Sequence, residues 1–260
     1  MGGRLTPMRI DARRIEEVGL NALQTQRQLF YDGWLLRVSP GKAKRARSVN
    51  AHFGSTLPLA AKIAHCERIY AERELPALFR ITPFCAPADL ERALEARGYA
   101  PFDPTLVQAV ELDGTALPVP SRPSIELVDA SVDAFVDAVA ALRGSPAQQR
   151  DAHRERLNHS PLDGRHVVAL VDGVPVAAGK TAREGDVVGV FDVVTDEAMR
   201  GQGVATALVA RLLARAWDRG ARVAYLQVDA ANAPALAVYR RFGFETIYTY
   251  HYLGREGECR

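Results

Sequence analysis

The run Arg200-Gly201-Gln202-Gly203-Val204-Ala205-Thr206 is the part of this 260-residue chain whose residue types and spacing point most directly to chemistry. It follows a β-rich segment and opens a stretch in which Leu208, Val209, Leu212, Leu213 and Trp217 fall on one helical face. A glycine turn at a helix start leaves backbone N–H groups unpaired, and the helix dipole adds partial positive charge there, so a phosphate or pyrophosphate is a suitable guest. Gly203 and Ala205 are small enough to let that guest approach the backbone, and Thr206 can add a hydroxyl. The chain has neither a P-loop run nor a dinucleotide GxGxxG with its ribose-binding acid ~20 residues on.

Two further groups lie on either side of this turn. Asp192, in Phe191-Asp192-Val193-Val194, is an acid among apolar neighbours. Its position suits either a base with a raised pKa or a carboxylate in an ion pair at a strand end. Asp229, at the end of the following strand, is a second candidate base. Asn232 precedes a helix on which Leu236, Tyr239 and Phe242 recur, so Asn232 reads as a ligand contact, an N-cap or both. Tyr239 is either a reactive phenol or one member of a buried helix face.

The elements that must position these residues follow from periodicity and breakers. In the first part, Trp34–Val38 and Leu78–Ile81 read as strands, with helices over Leu57–Glu72 and Pro87–Arg97. In the second, strands are expected at Ser124–Val128, His166–Val171, Pro175–Thr181, Val187–Val194, Val223–Val228, Phe244–Tyr248 and Tyr250–Leu253. Helices are expected at Val132–Leu142, Ala147–Asn158, Val204–Arg219 and Ala233–Phe242. The pattern is α/β, with a mixed, mostly antiparallel central sheet flanked by helices. The proline-rich segment Asp113–Pro123 reads as a linker between residues 1–112 and 124–260. Gly98-Tyr99 after one strand and helix echoes Gly243-Phe244 after another, so the halves read as a distant repeat or as two unrelated domains.

Composition narrows the function classes. Thirty-three Lys and Arg against 31 Asp and Glu leave a formal charge of +2, too balanced to announce a nucleic-acid or membrane partner. The basic run Lys42, Lys44, Arg45, Arg47 reads as a solvated hairpin tip, or as local charge for an anionic acceptor. Cys66, Cys85 and Cys259 have neither disulfide-framework nor zinc spacing, which suits a reducing cytoplasm. His153, His159 and His166 lack a metal-ligand rhythm and read as surface or helix histidines, so no metal is expected. No apolar run approaches the ~20 residues of a membrane span.

Residues 190–245 resemble the GNAT superfamily of acyl-CoA N-acyltransferases. Arg200, Gly203 and Ala205 match its pyrophosphate-loop pattern, and Asn232, Ala235, Leu236, Tyr239 and Gly243-Phe244 match its second motif at the expected spacing. The resemblance covers residues 124–253 well and residues 1–112 in outline, where no second phosphate-gripping turn exists. It implies the GNAT fold, two GNAT-like halves of which the first is degenerate or accessory, and one acetyl-CoA site per chain, as a monomer or homodimer.

The resemblance further implies transfer of an acetyl group from acetyl-CoA, as cosubstrate, to a primary amine of a small molecule or peptide. Val193 and Val194 would pair with the pantetheine amides, while Arg200, Gly201, Gln202, Gly203, Val204, Ala205 and Thr206 would cradle the pyrophosphate. Asn232 would contact the pantetheine arm, and Tyr239 would hydrogen-bond the sulfur and act as general acid. An alkylamine with a pKa near ~10.4 must lose a proton, which is the role expected of Asp192. The rival readings are a non-catalytic acyl-CoA-binding module and a transferase of longer acyl chains. Tyr248, Tyr250 and Tyr252 alternate on one strand face and read as half-buried strand aromatics or as an acceptor pocket.

Overall fold

A computed structural model describes residues 10–23, 25, 27–39, 43–115 and 125–257. The chain begins with α1 (Ala12–Asn21), β1 (Gln28–Tyr31), β2 (Trp34–Arg37), β3 (Ser48–Asn50), α2 (Leu59–Ala71), β4 (Leu78–Ile81), α3 (Leu90–Glu95) and β5 (Tyr99–Glu111). It continues through β6 (Glu126–Asp129), α4 (Val132–Arg143), α5 (Ala147–Asn158), β7 (Asp163–Val171), β8 (Val174–Glu184) and β9 (Val187–Thr195). The last elements are α6 (Val204–Asp218), β10 (Val223–Asp229), α7 (Ala233–Arg240) and β11 (Glu245–Arg255).

These elements form two compact units. The first contains α1, the chain from Gln108 to Val228, and Asn232–Ile247; the second contains Leu23–Val107, Asp229–Ala231 and the chain from Tyr248 onward. Each unit thus draws on both sides of the Asp113–Pro123 segment, of which residues 116–123 lie outside the described residues.

The first unit has strands in the order β5-β10-β9-β8-β7-β6. Its pairings are antiparallel from β6 to β9, while β9 and β10 run parallel. Ser131 caps α4 by accepting a hydrogen bond from Ala134 N at 3.2 Å, and Gly144 ends that helix with φ +61°. Phe135, Val136 and Val139 of α4 are buried with Val168 and Ala178 of the sheet. On α6, Leu208 and Leu212 pack over Gly179, where an added Cβ would lie 3.3 and 3.0 Å from their methyl groups. Close helix-to-strand approach is therefore built into β8 next to its irregular pairing with β9.

The second unit orders its strands β1-β2-β3-β4-β11-β5 around a core of Trp34, Leu36, Ile63, Tyr70, Phe79 and Leu94. Lys62 is fully buried there, yet its ammonium is saturated: it donates to the Asp32 carbonyl at 2.6 Å and to Ser55 Oγ, and pairs with Asp32 Oδ2 at 3.2 Å. Those bonds tie the β1–β2 turn to the loop before α2, so this lysine is structural.

Several sequence expectations change in the structure. Phe244–Tyr248 and Tyr250–Leu253 are not two strands; Thr249 does not interrupt β11, which runs unbroken to Arg255. The helix expected over Pro87–Arg97 contracts to Leu90–Glu95, because Pro87 accepts the Leu90 N–H in a preceding turn at 3.2 Å. Strand β5 was masked in the sequence by Pro101 and Pro104, residues that argue against a strand. The basic run is no hairpin tip: Lys44–Ala46 form a 3₁₀ turn, and Lys44 pairs with Asp103 at 2.9 Å. Lys42 lies outside the described residues. Tyr248, Tyr250 and Tyr252 share one buried face, with Tyr248 against Phe84 and the Arg80 guanidinium 3.8 Å over the Tyr250 ring.

Candidate acyl-CoA site

In the first unit, a cavity of about 810 Å³ opens where β9, the start of α6 and α7 face one another. Its geometry begins at a β-bulge. Ala178 pairs with Val194 and Lys180 with Phe191, so Asp192 and Val193 together oppose the single residue Gly179. Asp192 adopts φ +53°, the left-handed conformation that Asp tolerates better than most side chains. Parallel pairing between β9 and β10 runs from Val187 with Val223 to Val190 with Leu226 and stops just before the bulge. Past that point the two strands are free to accept something other than each other.

Val193 and Val194 line the cavity from the bulge onward. At its other wall a 3₁₀ turn, Glu197–Met199, leads into Gly201 (φ +72°) and Gly203 (φ +81°), conformations that glycine adopts without strain. Gly203 is the N-cap of α6 and contributes no side-chain cap; the first helical bond is donated by Ala207 to its carbonyl at 3.0 Å. The N–H groups of Val204, Ala205 and Thr206 therefore have no partner within the helix. All three residues line the cavity with Arg200, Gly201 and Gly203. The exposed Arg200 guanidinium reaches Glu197 at 3.2 Å. Gln202 turns away and donates to the Ala198 carbonyl at 2.9 Å, which braces the turn.

The second helix closes the site differently. Asn232 Oδ1 accepts from Ala235 N at 3.2 Å, so Asn232 is an N-cap, and it also lines the cavity. Tyr239 is 8% exposed, packs against Phe244 with ring centres 5.9 Å apart, and reaches the same cavity. Its hydroxyl makes no hydrogen bond among the described residues. Burial pushes its pKa up to about 12, so the phenol holds its proton at any working pH. A phenol with an unused hydroxyl in this cavity can donate to, and protonate, a departing thiolate. The uncapped amides and the apolar walls fit a ligand with a pyrophosphate and a long, mostly apolar arm.

Of the two readings of Asp192, the structure matches the ion-paired carboxylate. It does not line the cavity, and its pKa is lowered, not raised. Burial alone would raise it, but the hydrogen bond from His153 and the charges of Lys180 and Arg143 outweigh that effect and hold the carboxylate ionised. His153 Nε2 lies 3.2 Å from Oδ2 and Arg143 Nη1 3.3 Å from Oδ1. An ion-paired carboxylate is a poor proton acceptor but a good orienting group for the imidazole ring it contacts. Asp229, the second acid, is exposed and accepts the Ala231 N–H at 2.8 Å as a turn residue.

His153 is thus buried between Asp192 and Phe135 and not on the surface, a position its helix periodicity did not disclose. His159 is exposed, as a helix-end histidine should be. His166 is half-buried against Phe135, at 4.8 Å between ring centres; burial, with Lys180 and His153 nearby, lowers its pKa from 6.5 to about 4. A lowered histidine is neutral in the folded state, so the unfolded chain binds a proton first as the pH falls. The His166 contribution is intact above pH 6.5 and is lost towards pH 4, by up to about 1.4 kcal/mol per pH unit. Urea unfolding at pH 7 and pH 5 should show a smaller loss for H166Q than for the wild type; equal losses would contradict the assignment. Among the described residues no group of His, Cys, Asp and Glu is placed to hold a metal, and no helix is long and apolar enough to cross a membrane.

Fold and cavity together define an α/β transferase-type domain, with an anion-binding helix start beside a bulged strand. Residues 132–244 match the sequence model of the Acetyltransferase (GNAT) family, so this segment is of GNAT type and the match supports transferase activity. Over 263 aligned residues it is 24% identical to an uncharacterized N-acetyltransferase, YobR, of Bacillus subtilis, covering 93% of this chain and 98% of that one. A solved GCN5-related N-acetyltransferase from Kribbella flavida shares the fold over 95% of this chain and 96% of its own, with a TM-score of 0.71 and 24% identity. A tandem GNAT protein from the clavulanic acid biosynthesis pathway is similar over 80% of this chain and 74% of its own, at a TM-score of 0.62 and 15% identity.

Proposed function

We propose that the chain transfers an acetyl group from acetyl-CoA to a primary amine by direct attack within a ternary complex. The observation that carries this reading is the cavity that joins uncapped amides of α6 to the Tyr239 phenol. In this reading the amides of Val204, Ala205 and Thr206, with Gly201, Gly203 and Arg200, receive the pyrophosphate. Gln202 supports the turn. Backbone groups of Val193 and Val194, released from β10 by the bulge, pair with the pantetheine arm, and Asn232 borders it.

The amine nitrogen forms a bond to the thioester carbonyl carbon, the carbon–sulfur bond breaks, and Tyr239 gives its proton to the sulfur. The proton shed by the amine goes to His153, which Asp192 orients. H153Q should then lower kcat/KM about 100-fold at pH 7 and remove the limb attributable to the base from its pH profile. An unchanged profile would return the proton to solvent.

The first part of the chain, residues 1–112, acts in this reading as a degenerate GNAT-like accessory half, and activity resides in the cytoplasm. Release of free thiol from acetyl-CoA, followed across a panel of amines, tests the function. Amine-dependent release is expected; binding of acetyl-CoA with no release by any amine would leave an acyl-CoA sensor, and faster release from longer acyl-CoA esters would change the donor.

A further inference from the structure

Around the bulge, the first unit sets several basic side chains about one carboxylate. Asp192 is engaged by Arg143 and His153, and Lys180, 7% exposed on β8, adds its charge from the position paired with Phe191. Arg156 lies three residues after His153 on α5 and is half-buried. Among the described residues it makes no hydrogen bond and no ion pair within 4.0 Å, sensing Asp192 and Glu155 only at longer range. A guanidinium held partly out of water without a carboxylate in contact is costly, and a bound anion removes that cost. The site is open to solvent, since the Asp192 and Arg143 side chains are 25% and 41% exposed. It is also next to the chemistry, because Asp192 precedes Val193 of the cavity wall in the chain.

We infer that the acceptor is a small amine that also carries an anionic group, a carboxylate or a phosphate, and that Arg156 holds this group in the field of Lys180. A guanidinium meets either group with two parallel N–H···O bonds, which fixes orientation as well as affinity. Held there, the anion turns the amine toward the acyl end of the cavity at the bulge. The inference rests on the transferase reading and goes beyond it by naming the acceptor's class.

The test is thiol release from acetyl-CoA with matched acceptors: amino acids against their amides, and aminoalkyl phosphates against the corresponding amino alcohols, each corrected for its free-amine fraction. At least one anionic series should exceed its neutral partners by about 30-fold or more in kcat/KM, and the series that does identifies carboxylate or phosphate. R156Q should remove about tenfold or more of that preference, with R156K keeping part of it and both variants retaining the acetyl-CoA Kd, which also reports that they fold. Neutral amines used equally well, a preference that survives R156Q, or no turnover of any acceptor despite bound acetyl-CoA would each overturn the inference. Loss of acetyl-CoA binding by the wild type would instead strike the transferase reading beneath it.

Discussion

Gly203→Asp should lower acetyl-CoA affinity by at least about 100-fold. Two effects add at this position. Gly203 sits at φ +81°, so any side chain bears some left-handed strain. Aspartate also puts a negative charge at the N-terminus of α6, where the unpaired amides of Val204, Ala205 and Thr206 face the cavity. An aspartate there would accept those N–H groups as an N-cap and repel the pyrophosphate at once. Gly203→Asn separates the effects, because asparagine tolerates the same backbone conformation and carries no charge. Its loss should stay within about tenfold. Calorimetric titration of both variants decides the matter: equal, small losses would show that no anion binds at this turn.

Tyr239→Phe should slow turnover by about 100-fold while leaving acetyl-CoA affinity near the wild-type value, the range expected for loss of a general acid. The substitution is unusually clean. The hydroxyl has no hydrogen bond among the described residues, so its removal leaves no protein group unpaired. The ring still packs on Phe244, and the thermal midpoint should hardly move. Because burial places the phenol near pKa 12, the wild-type rate should show no alkaline fall from Tyr239 ionisation below about pH 10. An unchanged kcat in Tyr239→Phe would make Tyr239 a packing residue.

The backbone geometry around the candidate site was legible in the sequence wherever local chemistry dictates it. Gly201 and Gly203 occupy left-handed positions, Asn232 caps α7, and the α6 stripe that begins at Val204 buries Leu208, Leu212 and Leu213. What escaped the sequence depends on chain segments meeting from afar. The ionisation of Asp192 is set by His153, Lys180 and Arg143, 39, 12 and 49 positions away, and no local pattern announces such partners. The apolar neighbours of Asp192 suggested burial correctly in part, but burial is only one influence on a carboxylate, and here the His153 hydrogen bond and the Lys180 and Arg143 charges win. Strand β5 was hidden by its prolines, and α1, a short helix with Ile15 and Val18 buried, was not foreseen. The unit boundaries were obscured for a related reason, since α1 and the end of β11 each pack with elements from the other side of the 113–123 segment.

The most direct test of the central claim is calorimetric titration of the purified chain with acetyl-CoA, beside the same titration of Gly203→Asp. One site per chain with micromolar or tighter affinity is expected in the wild type, and no measurable heat in the variant at the same concentrations. Binding of equal strength in both proteins, or no binding in the wild type, would contradict it.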